Sequence, residues 1–222
     1  MIHLENLCKS YKLRGHRKVV LDNVNQVFPA KVSVGLLGRN GAGKSTLLSI
    51  IGGMMDPTSG TVHRAGNISY PVGFAGSFHG DLTGAQNTRF VARIYGVDTD
   101  ELQDFVADFS ELGKQFHQPF RTYSSGMRAR LSFGVSMGIP FDCFLIDEVT
   151  SVGDGAFRRK SVEMFAERRK TTAAIMVSHS TSLIRDVCDA GAVLEAGQMY
   201  YYDDLEAAIE HHEYNMNQKR PD

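Results

Sequence analysis

The sequence predicts an α/β fold with a mostly parallel core sheet, an N-terminal antiparallel β-subdomain and an inserted α-helical subdomain. Three observations lead to this fold class. Apolar, β-branched runs alternate with helical patterns towards both ends of the chain, which is typical of a parallel sheet covered by helices. The first 30 residues predict strands joined by a short turn. The middle third predicts helices alone.

The N-terminal subdomain follows from two strands, Ile2–Leu7 and Val19–Phe28, joined by a basic turn that we expect to be a solvated hairpin tip. The apolar run at residues 31–37 predicts a buried parallel strand. Helical spacing over residues 47–51 predicts the first helix, and short strands follow.

The helical insertion begins after a loop rich in glycine and aromatic residues. Thr83 is placed to cap its first helix, and that helix's apolar face is marked by Phe90, Val91, Ile94 and Tyr95. Further helices are predicted at residues 102–112 and 127–138. We expect the aromatic residues of these helices to lie in the core.

Strands and helices alternate again after the helical insertion. Buried strands are predicted at residues 143–146 and 172–177, each followed by a helix. A hairpin around Ala196 and Gly197 then precedes a last helix over residues 204–214.

These elements predict a single domain over residues 1–222. In this division, residues 1–73 and 141–222 form the core, and residues 74–140 form the helical subdomain. A chain of 222 residues is long enough to bury one substantial core with such a subdomain.

Composition argues against several partners and locations. The formal net charge of −1 provides no basic field that would attract nucleic acid or an anionic membrane. Cys8, Cys143 and Cys188 are scattered and odd in number, which favours reduced thiols over disulfides or zinc. No apolar run approaches the roughly 18 residues of a membrane helix, and the N-terminus lacks the build of a signal peptide. We expect a chain that neither spans a membrane nor is exported.

One stretch carries the main functional signal, because it matches the phosphate-binding pattern Gly-x-x-x-x-Gly-Lys-[Ser/Thr]. Its residues are Gly38, Arg39, Asn40, Gly41, Ala42, Gly43, Lys44, Ser45 and Thr46. Between a strand and a helix, such glycines turn backbone N–H groups inward around phosphates, and the helix dipole adds positive charge. We expect Lys44 to reach the β- and γ-phosphates and Ser45 to hold Mg²⁺. A glycine-rich turn that happens to carry a lysine is the alternative.

Polar side chains follow two of the predicted buried strands. Asp147 and Glu148 come directly after one, and His179 follows the other. The carboxyl ends of strands in an open α/β sheet form its ligand-binding edge. We expect Asp147 to hold Mg²⁺, Glu148 to act as general base towards water, and His179 to contact the γ-phosphate. Taken alone, Asp147 and Glu148 have a surface turn as their alternative. For His179 the alternative is a core histidine whose ring is hydrogen-bonded within the fold.

Two further positions are candidates for nucleotide contact. Tyr11 lies at a strand end and is suited to stack on an adenine base, with a half-buried strand aromatic as the alternative. Ser125 and Gly126 begin a helix and offer a hydroxyl, N–H groups and a dipole to an anion. A plain helix cap is the alternative there.

The order of these motifs resembles the ATP-binding-cassette ATPases nearly from end to end. That resemblance implies a RecA-like P-loop NTPase core that hydrolyses ATP with Mg²⁺. In that family, Ser125 and Gly126 match the motif that contacts the γ-phosphate held by another subunit, and Asp154 matches the aspartate that links the two sites. The resemblance implies a head-to-tail homodimer that encloses two ATP molecules and drives a permease dimer.

A narrower resemblance is to the ATPase subunits of bacterial capsular polysaccharide exporters. It is carried by residues 38–46, 74–84, 90–96 and 123–128, and the short chain fits because related O-antigen ATPases often add a sugar-binding domain. It implies a peripheral protein on the cytoplasmic face of the inner membrane that powers polysaccharide export. The chain departs from the wider family in two places. The loop before the insertion has no glutamine, and Tyr123 and Met127 replace the outer residues of the serine-glycine motif.

Other functions remain open at this point. The chain resembles, less closely, the ATPase of another exporter in the family, for O-antigen, teichoic acid or a small lipid. A non-transport cassette ATPase is disfavoured, because such proteins usually carry two cassettes or a long coiled coil, and no sustained heptads occur here. A kinase or GTPase with a phosphate loop would not explain Ser125, Gly126 or His179.

Overall fold

The computed structural model describes residues 1–13, 15–72, 76, 78–147 and 155–218. The chain divides into two units, each with its own internal contacts. The first contains Met1–Pro71, Phe141–Glu148 and Thr171–Asp222, and the second contains Val72–Pro140 and Val149–Lys170. The sequence analysis placed all of residues 141–222 in the core, whereas the structure assigns Val149–Lys170 to the second unit.

The elements follow the predicted alternation of strands and helices. The strands are β1 (Ile2–Leu13), β2 (His16–Phe28), β3 (Val34–Leu37), β4 (Ser59–Arg64), β5 (Ile68–Pro71), β6 (Cys143–Asp147), β7 (Ala173–Val177), β8 (Ala190–Glu195) and β9 (Gln198–Tyr202). The helices are α1 (Lys44–Ile51), α2 (Gly84–Tyr95), α3 (Thr99–Ser110), α4 (Ser125–Gly138), α5 (Gly155–Arg169), α6 (Thr181–Val187) and α7 (Leu205–Asn217). Two short 3₁₀ helices, Gly113–His117 and Phe120–Thr122, connect α3 to α4.

A six-stranded sheet with the order β5-β6-β7-β3-β8-β9 forms the centre of the first unit. The first five of these strands run parallel, and β9 pairs antiparallel with β8. Every residue of β3 is buried, because β7 and β8 pair with it on either side. The carboxyl ends of β6, β7, β3 and β8 therefore lie at one edge of the sheet, where ligands bind in folds of this kind.

An antiparallel sheet with the order β2-β1-β4 completes the first unit. The first two strands are longer than predicted, because their pairing continues into the basic segment that was expected to be a turn. Tyr11 lies opposite Lys18, and Lys12 lies opposite Arg17. Together, the parallel sheet, this antiparallel sheet and the inserted helices confirm the predicted fold class.

One apolar core cluster contains residues of both sheets and α1. A fully buried Leu or Ile side chain stabilises a fold by about 1.5–3 kcal/mol. The largest fully buried aliphatic residues of the first unit are Ile2, Leu4, Leu7, Leu21, Leu36, Leu47, Leu48, Ile50 and Ile51.

The second unit packs its helices around aromatic side chains. The ring of Phe109 lies 5.8 Å from that of Phe133 and 5.4 Å from that of Phe157, measured between centroids. Thr83 caps α2, as predicted, and it does so through a reciprocal capping box with Gln86.

Only part of the predicted apolar face of α2 is buried, namely Val91, with Tyr95 half-buried. Phe90 and Ile94 are 50% and 60% exposed, whereas Val91 and Ala92 are buried. The buried face of this helix consists of smaller side chains, because Tyr123 and Phe116 leave no room for a Cβ at Gly84.

The three cysteines do not form disulfides with one another. Cys8, Cys143 and Cys188 are free thiols, and burial raises the pKa of Cys143 to about 12, so it packs as a small apolar residue. Within the described ranges, no helix has the length and apolar character needed to cross a bilayer.

The edge strand β5 depends on one side chain for its pairing. The register between β5 and β6 is irregular, and the Leu145 N–H donates to Ser69 Oγ (2.8 Å) where the sheet is fully buried. We expect Ser69→Ala to lower the free energy of unfolding by about 1–3 kcal/mol, because it leaves that N–H unsatisfied. Urea unfolding would measure this loss. The exposed Ser59→Ala is the control and should change stability by less than about 0.5 kcal/mol. Equal unfolding midpoints for the two variants would contradict this role of Ser69.

Candidate functional site

A cavity of about 400 Å³ lies at the carboxyl edge of the parallel sheet. It brings together nine of the predicted site residues: Tyr11, Asn40, Gly41, Gly43, Lys44, Ser45, Thr46, Asp147 and His179. Lys18, Val20 and Val177 also line it, and the twelve described residues of the lining belong to the first unit.

The loop between β3 and α1 has a backbone that requires glycine. Gly38, Gly41 and Gly43 have φ values of 147°, 79° and 112°, which side chains rarely tolerate. Two of these positions also lack space, because a Cβ on Gly38 would clash with the Leu194 carbonyl and one on Gly43 with Val20. The loop is therefore held between β8 and β2 in a form that only glycine allows.

Helix α1 begins directly at the cavity. The Leu47 N–H donates to the Gly43 carbonyl (2.9 Å), which starts the helical bonding. The first turn has no side-chain cap in the part of the chain that the structure describes, and it contains no acidic residue. Its N–H groups and its dipole are thus suited to hold an anion at this point.

Lys44 lies inside the loop. Its Nζ donates to the carbonyls of Gly38 (2.5 Å) and Arg39 (3.0 Å), and the residue lines the cavity. The backbone of the loop thus holds the ammonium group at the place where the sequence predicts phosphate contact.

Tyr11 stands at one side of the cavity and is 36% exposed. Its hydroxyl lies 3.4 Å from Thr46 Oγ1 and 3.3 Å from Met55 Sδ, and the ammonium of Lys9 is 5.4 Å from the ring centroid. These contacts attach the end of β1 to the first turn of α1, next to the phosphate loop.

Lys18 is a lining residue that sequence reasoning missed. It was placed in the solvated tip of the hairpin, but the β1–β2 ladder continues and sets it opposite Tyr11. The signal that could have found it is this register, because a longer pairing of the two strands carries the basic segment to the loop. Lys18 adds a second ammonium group to the lining of the cavity.

Asp147 and His179 reach the same cavity from the ends of two neighbouring strands. Asp147 ends β6 and pairs with Val177 of β7, and His179 follows that strand by two residues. Asp147 and Ser45 place a carboxylate and a hydroxyl on one cavity, and hard oxygen ligands of this kind suit Mg²⁺. The donor chemistry therefore fits the predicted metal.

Three loop residues, Gly38, Arg39 and Ala42, line a second cavity of about 370 Å³ instead. The β8–β9 turn and α7 supply much of its remaining wall. The guanidinium of Arg39 does not face the first cavity but donates from Nη2 to the carbonyls of Asn215 (2.8 Å), Met216 (3.0 Å) and Gln218 (2.8 Å). Any nucleotide contact of Arg39 must therefore come from its backbone.

Ser125 and Gly126 are not among the described residues that line the first cavity. Ser125 and Gly126 begin α4 in the second unit, and the cap of that helix is Ser124, whose hydroxyl accepts from the Met127 N–H (3.2 Å). The plain capping role thus falls to Ser124, and Ser125 is exposed. Glu148 and Asp154 lie outside the described residues, so their roles stay predictions.

Comparison with known proteins agrees with this arrangement. A family model described as ABC transporter matches residues 21–151, more than half of the chain. The polysialic acid transport ATP-binding protein KpsT of Escherichia coli is 49% identical over 212 residues, which cover 94% of this chain and 97% of that protein. The capsule polysaccharide export ATP-binding protein CtrD of Neisseria meningitidis serogroup B (strain ATCC BAA-335 / MC58) is 45% identical, covering 96% of this chain and 98% of that protein.

A solved structure of an ATP binding subunit of an ABC transporter has the same fold. Its TM-score is 0.76 at 19% identity, covering 98% of this chain and 100% of that one. The similarity in sequence and the similarity in fold both extend over nearly the whole chain. The chain therefore belongs to the ABC transporter family, as the order of its motifs predicts.

Proposed function

We propose that this chain is the ATP-hydrolysing subunit of a bacterial ABC exporter for capsular polysaccharide, which works with a separate permease in the inner membrane. The observation that carries the ATPase is the cavity in which the phosphate loop, Tyr11, Asp147 and His179 meet. The substrate class is supported by two relatives, named for polysialic acid transport and capsule polysaccharide export, that match almost throughout.

The lining of the cavity suits a nucleoside triphosphate from end to end. Tyr11 offers an aromatic face to adenine, and the glycine loop and the start of α1 surround the phosphates. Lys44 contacts the β- and γ-phosphates, and Lys18 adds positive charge to the same cavity. Favourable attraction between these ammonium groups and the triphosphate orders the substrate before any chemistry occurs.

Hydrolysis is assigned to the groups at the strand ends. Ser45 and Asp147 hold Mg²⁺, which neutralises charge on the phosphates when it is bound. Glu148 accepts a proton from the attacking water, and His179 contacts the γ-phosphate from the end of β7. The position of Asp147 beside Val177 in the β6–β7 ladder supports this assignment, because it sets the carboxylate and the histidine on neighbouring strands.

A second copy of the chain completes the site in this proposal. Ser125 and Gly126 contact the γ-phosphate held by the other copy, and Asp154 links the two sites of the homodimer. Exposure of Ser125 supports this role, since Ser124 already caps the helix. The dimer binds the permease dimer from the cytoplasmic face of the membrane, as a peripheral subunit that need not touch the polysaccharide itself.

The membrane partner of this chain distinguishes two other functions from the proposed one. An ATPase of an O-antigen, teichoic acid or small-lipid exporter would have the same cavity but a different permease and substrate. A non-transport cassette ATPase would have no permease. The experiment is to purify the tagged Glu148→Gln protein with ATP from detergent-solubilised membranes, with Lys44→Ala as the control that cannot hold ATP.

We expect a membrane-spanning permease to copurify and the genes of capsule synthesis to lie beside the gene of this chain. A permease encoded among O-antigen or teichoic acid genes would replace capsular polysaccharide as the substrate. Copurification of ribosomes or nucleic acid without a membrane protein would overturn transport altogether.

Tyr11 provides a test of base stacking. We expect Tyr11→Ala to weaken ATP binding about tenfold or more, because stacking of a base on an aromatic ring contributes about 1–3 kcal/mol. Tyr11→Phe keeps the ring and removes the hydroxyl contact to Thr46, so it should bind ATP nearly as well as the wild type. Fluorescence titration with an ATP analogue would measure both affinities. Tyr200→Ala, on β9, is the matched control. Equal affinities for Tyr11→Ala and the control would reduce Tyr11 to a strand aromatic.

Glu148 provides a test of general base catalysis. We expect Glu148→Gln to bind ATP but to lose hydrolysis by about 10²–10⁴-fold, because the amide cannot accept a proton from water. With ATP present, the variant should elute as a dimer from a sizing column. Glu163→Gln, an exposed change on α5, is the control and should hydrolyse ATP normally. An unchanged rate in Glu148→Gln would remove Glu148 as the base.

A further inference from the structure

Helix α7 is fixed to the parallel sheet along its first half. A Cβ on Gly191 of β8 would clash with Ala208, so the helix and the strand lie in direct contact. Arg185 donates from Nε (2.8 Å) and Nη2 (2.9 Å) to the two carboxylate oxygens of Glu206. These contacts set where the far end of the helix must lie.

Within the described residues, the carboxyl end of α7 has no cation of its own, and Lys219 and Arg220 lie outside them. Its last turn contains no basic residue, although the final carbonyls of a helix carry partial negative charge and lack partners within the helix. Arg39 supplies the charge from a position 176 to 179 residues earlier in the chain, and its Nη2 donates to three carbonyls of this end. All three contacts are made by Nη2, whose two hydrogens the three carbonyls share.

The same residue belongs to the inner structure of the phosphate loop. The Arg39 carbonyl accepts from Lys44 Nζ (3.0 Å) and from the Ala42 N–H (3.1 Å). One residue therefore contacts the helix end with its side chain and the phosphate-binding lysine with its backbone. A shift of the guanidinium would move the carbonyl that holds Lys44.

A second contact joins α7 to the same end of the sheet. The side-chain amide of Asn215 donates to the carboxylate of Glu195, which ends β8 directly after Leu194. The carbonyl of Leu194 is the group that leaves no room for a side chain at Gly38. In addition, burial and the positive charge of Lys44 lower the pKa of His212, so α7 lies within electrostatic reach of the loop.

We propose that Arg39 is a positioning residue that couples the end of α7 to the phosphate loop, so that docking of α7 and binding of nucleotide stabilise each other. The inference rests on the proposed nucleotide site and adds to it a control element outside the cavity. Coupling of this kind is reciprocal. The free energy by which docked α7 strengthens nucleotide binding equals the free energy by which bound nucleotide stabilises the docking of α7.

The first test is a cycle of variants that breaks the contact from either side. Arg39→Ala removes the donor, and a chain ending at residue 214 removes the three acceptor carbonyls. The third variant combines both changes, and a chain ending at residue 220 is the matched control because it keeps all three acceptors as peptide carbonyls. Equilibrium titration of each protein with a fluorescent, non-hydrolysable ATP analogue and Mg²⁺ gives the dissociation constants, with Lys44→Ala as the non-binding reference.

We expect Arg39→Ala and the chain ending at 214 each to bind the analogue about five- to twentyfold more weakly, within the usual range of coupling between sites. The chain ending at 214 also loses the bond from Asn215 to Glu195. The combined variant should therefore match that chain within about twofold, because Arg39→Ala has no acceptor carbonyls left to lose there. Arg39→Lys should show part of the loss. Wild-type affinity in Arg39→Ala, or losses that multiply in the combined variant, would overturn the coupling.

The second test measures the effect of bound nucleotide on α7 by hydrogen exchange. A purely structural role of Arg39 would not make this effect depend on Arg39. Hydrogen exchange at the last-turn amides of α7 should slow when the analogue binds to the wild type and should not change with analogue in Arg39→Ala. Equal slowing in both proteins would overturn the coupling as well. If the wild type itself fails to bind the analogue, the proposed function fails. If the wild type binds and all variants bind equally, this inference alone fails.

Discussion

The arrangement of the site depends on how closely two strands approach the phosphate loop. Val20 of β2 and the carbonyl of Leu194 on β8 occupy the space that side chains at Gly43 and Gly38 would need. Because both strands belong to sheets with buried cores, the loop cannot relax away from them without unpacking those cores. Steric exclusion, together with the positive φ values, thus holds the loop in one form. The cavity, the start of α1 and the position of Lys44 all follow from that form.

Two cations on opposite sides of this loop have different tasks. Lys44 is held by loop carbonyls within the cavity, and Arg39 is held by helix carbonyls beside the second cavity. Each cation meets partial negative charge from backbone carbonyls, which does not cancel its full positive charge. This leaves the first cavity rich in positive charge, with Lys18 and Lys44 both in its lining. Such a balance favours a polyanion over a neutral ligand.

The sequence predicted the parts of this structure that depend on local patterns. The strands β3, β6 and β7 were predicted from short apolar runs. The glycine loop was predicted from the fixed spacing of its motif. The face of α2 was predicted only in part: Val91 is buried, but Phe90 and Ile94 are exposed, and the packing buries smaller residues in their place. Lys18 was missed because the end of a strand is set by pairing with its neighbour. The bond from Arg39 to α7 could not be predicted, since no local pattern links residues more than 170 positions apart.

The two helix starts suited to phosphate lie in different units of the chain. Helix α1 begins at the cavity, and α4 begins with exposed Ser125, without an acidic residue in its first turn. Ser124 satisfies the capping requirement of α4, so the hydroxyl of Ser125 is not needed for the stability of its own helix. A hydroxyl and a helix dipole held ready in this way are suited to an anion that the helix itself does not supply. Under the proposed function that anion is the triphosphate on the loop of a second copy, so the incomplete site of one chain is itself the reason for the chain to dimerise.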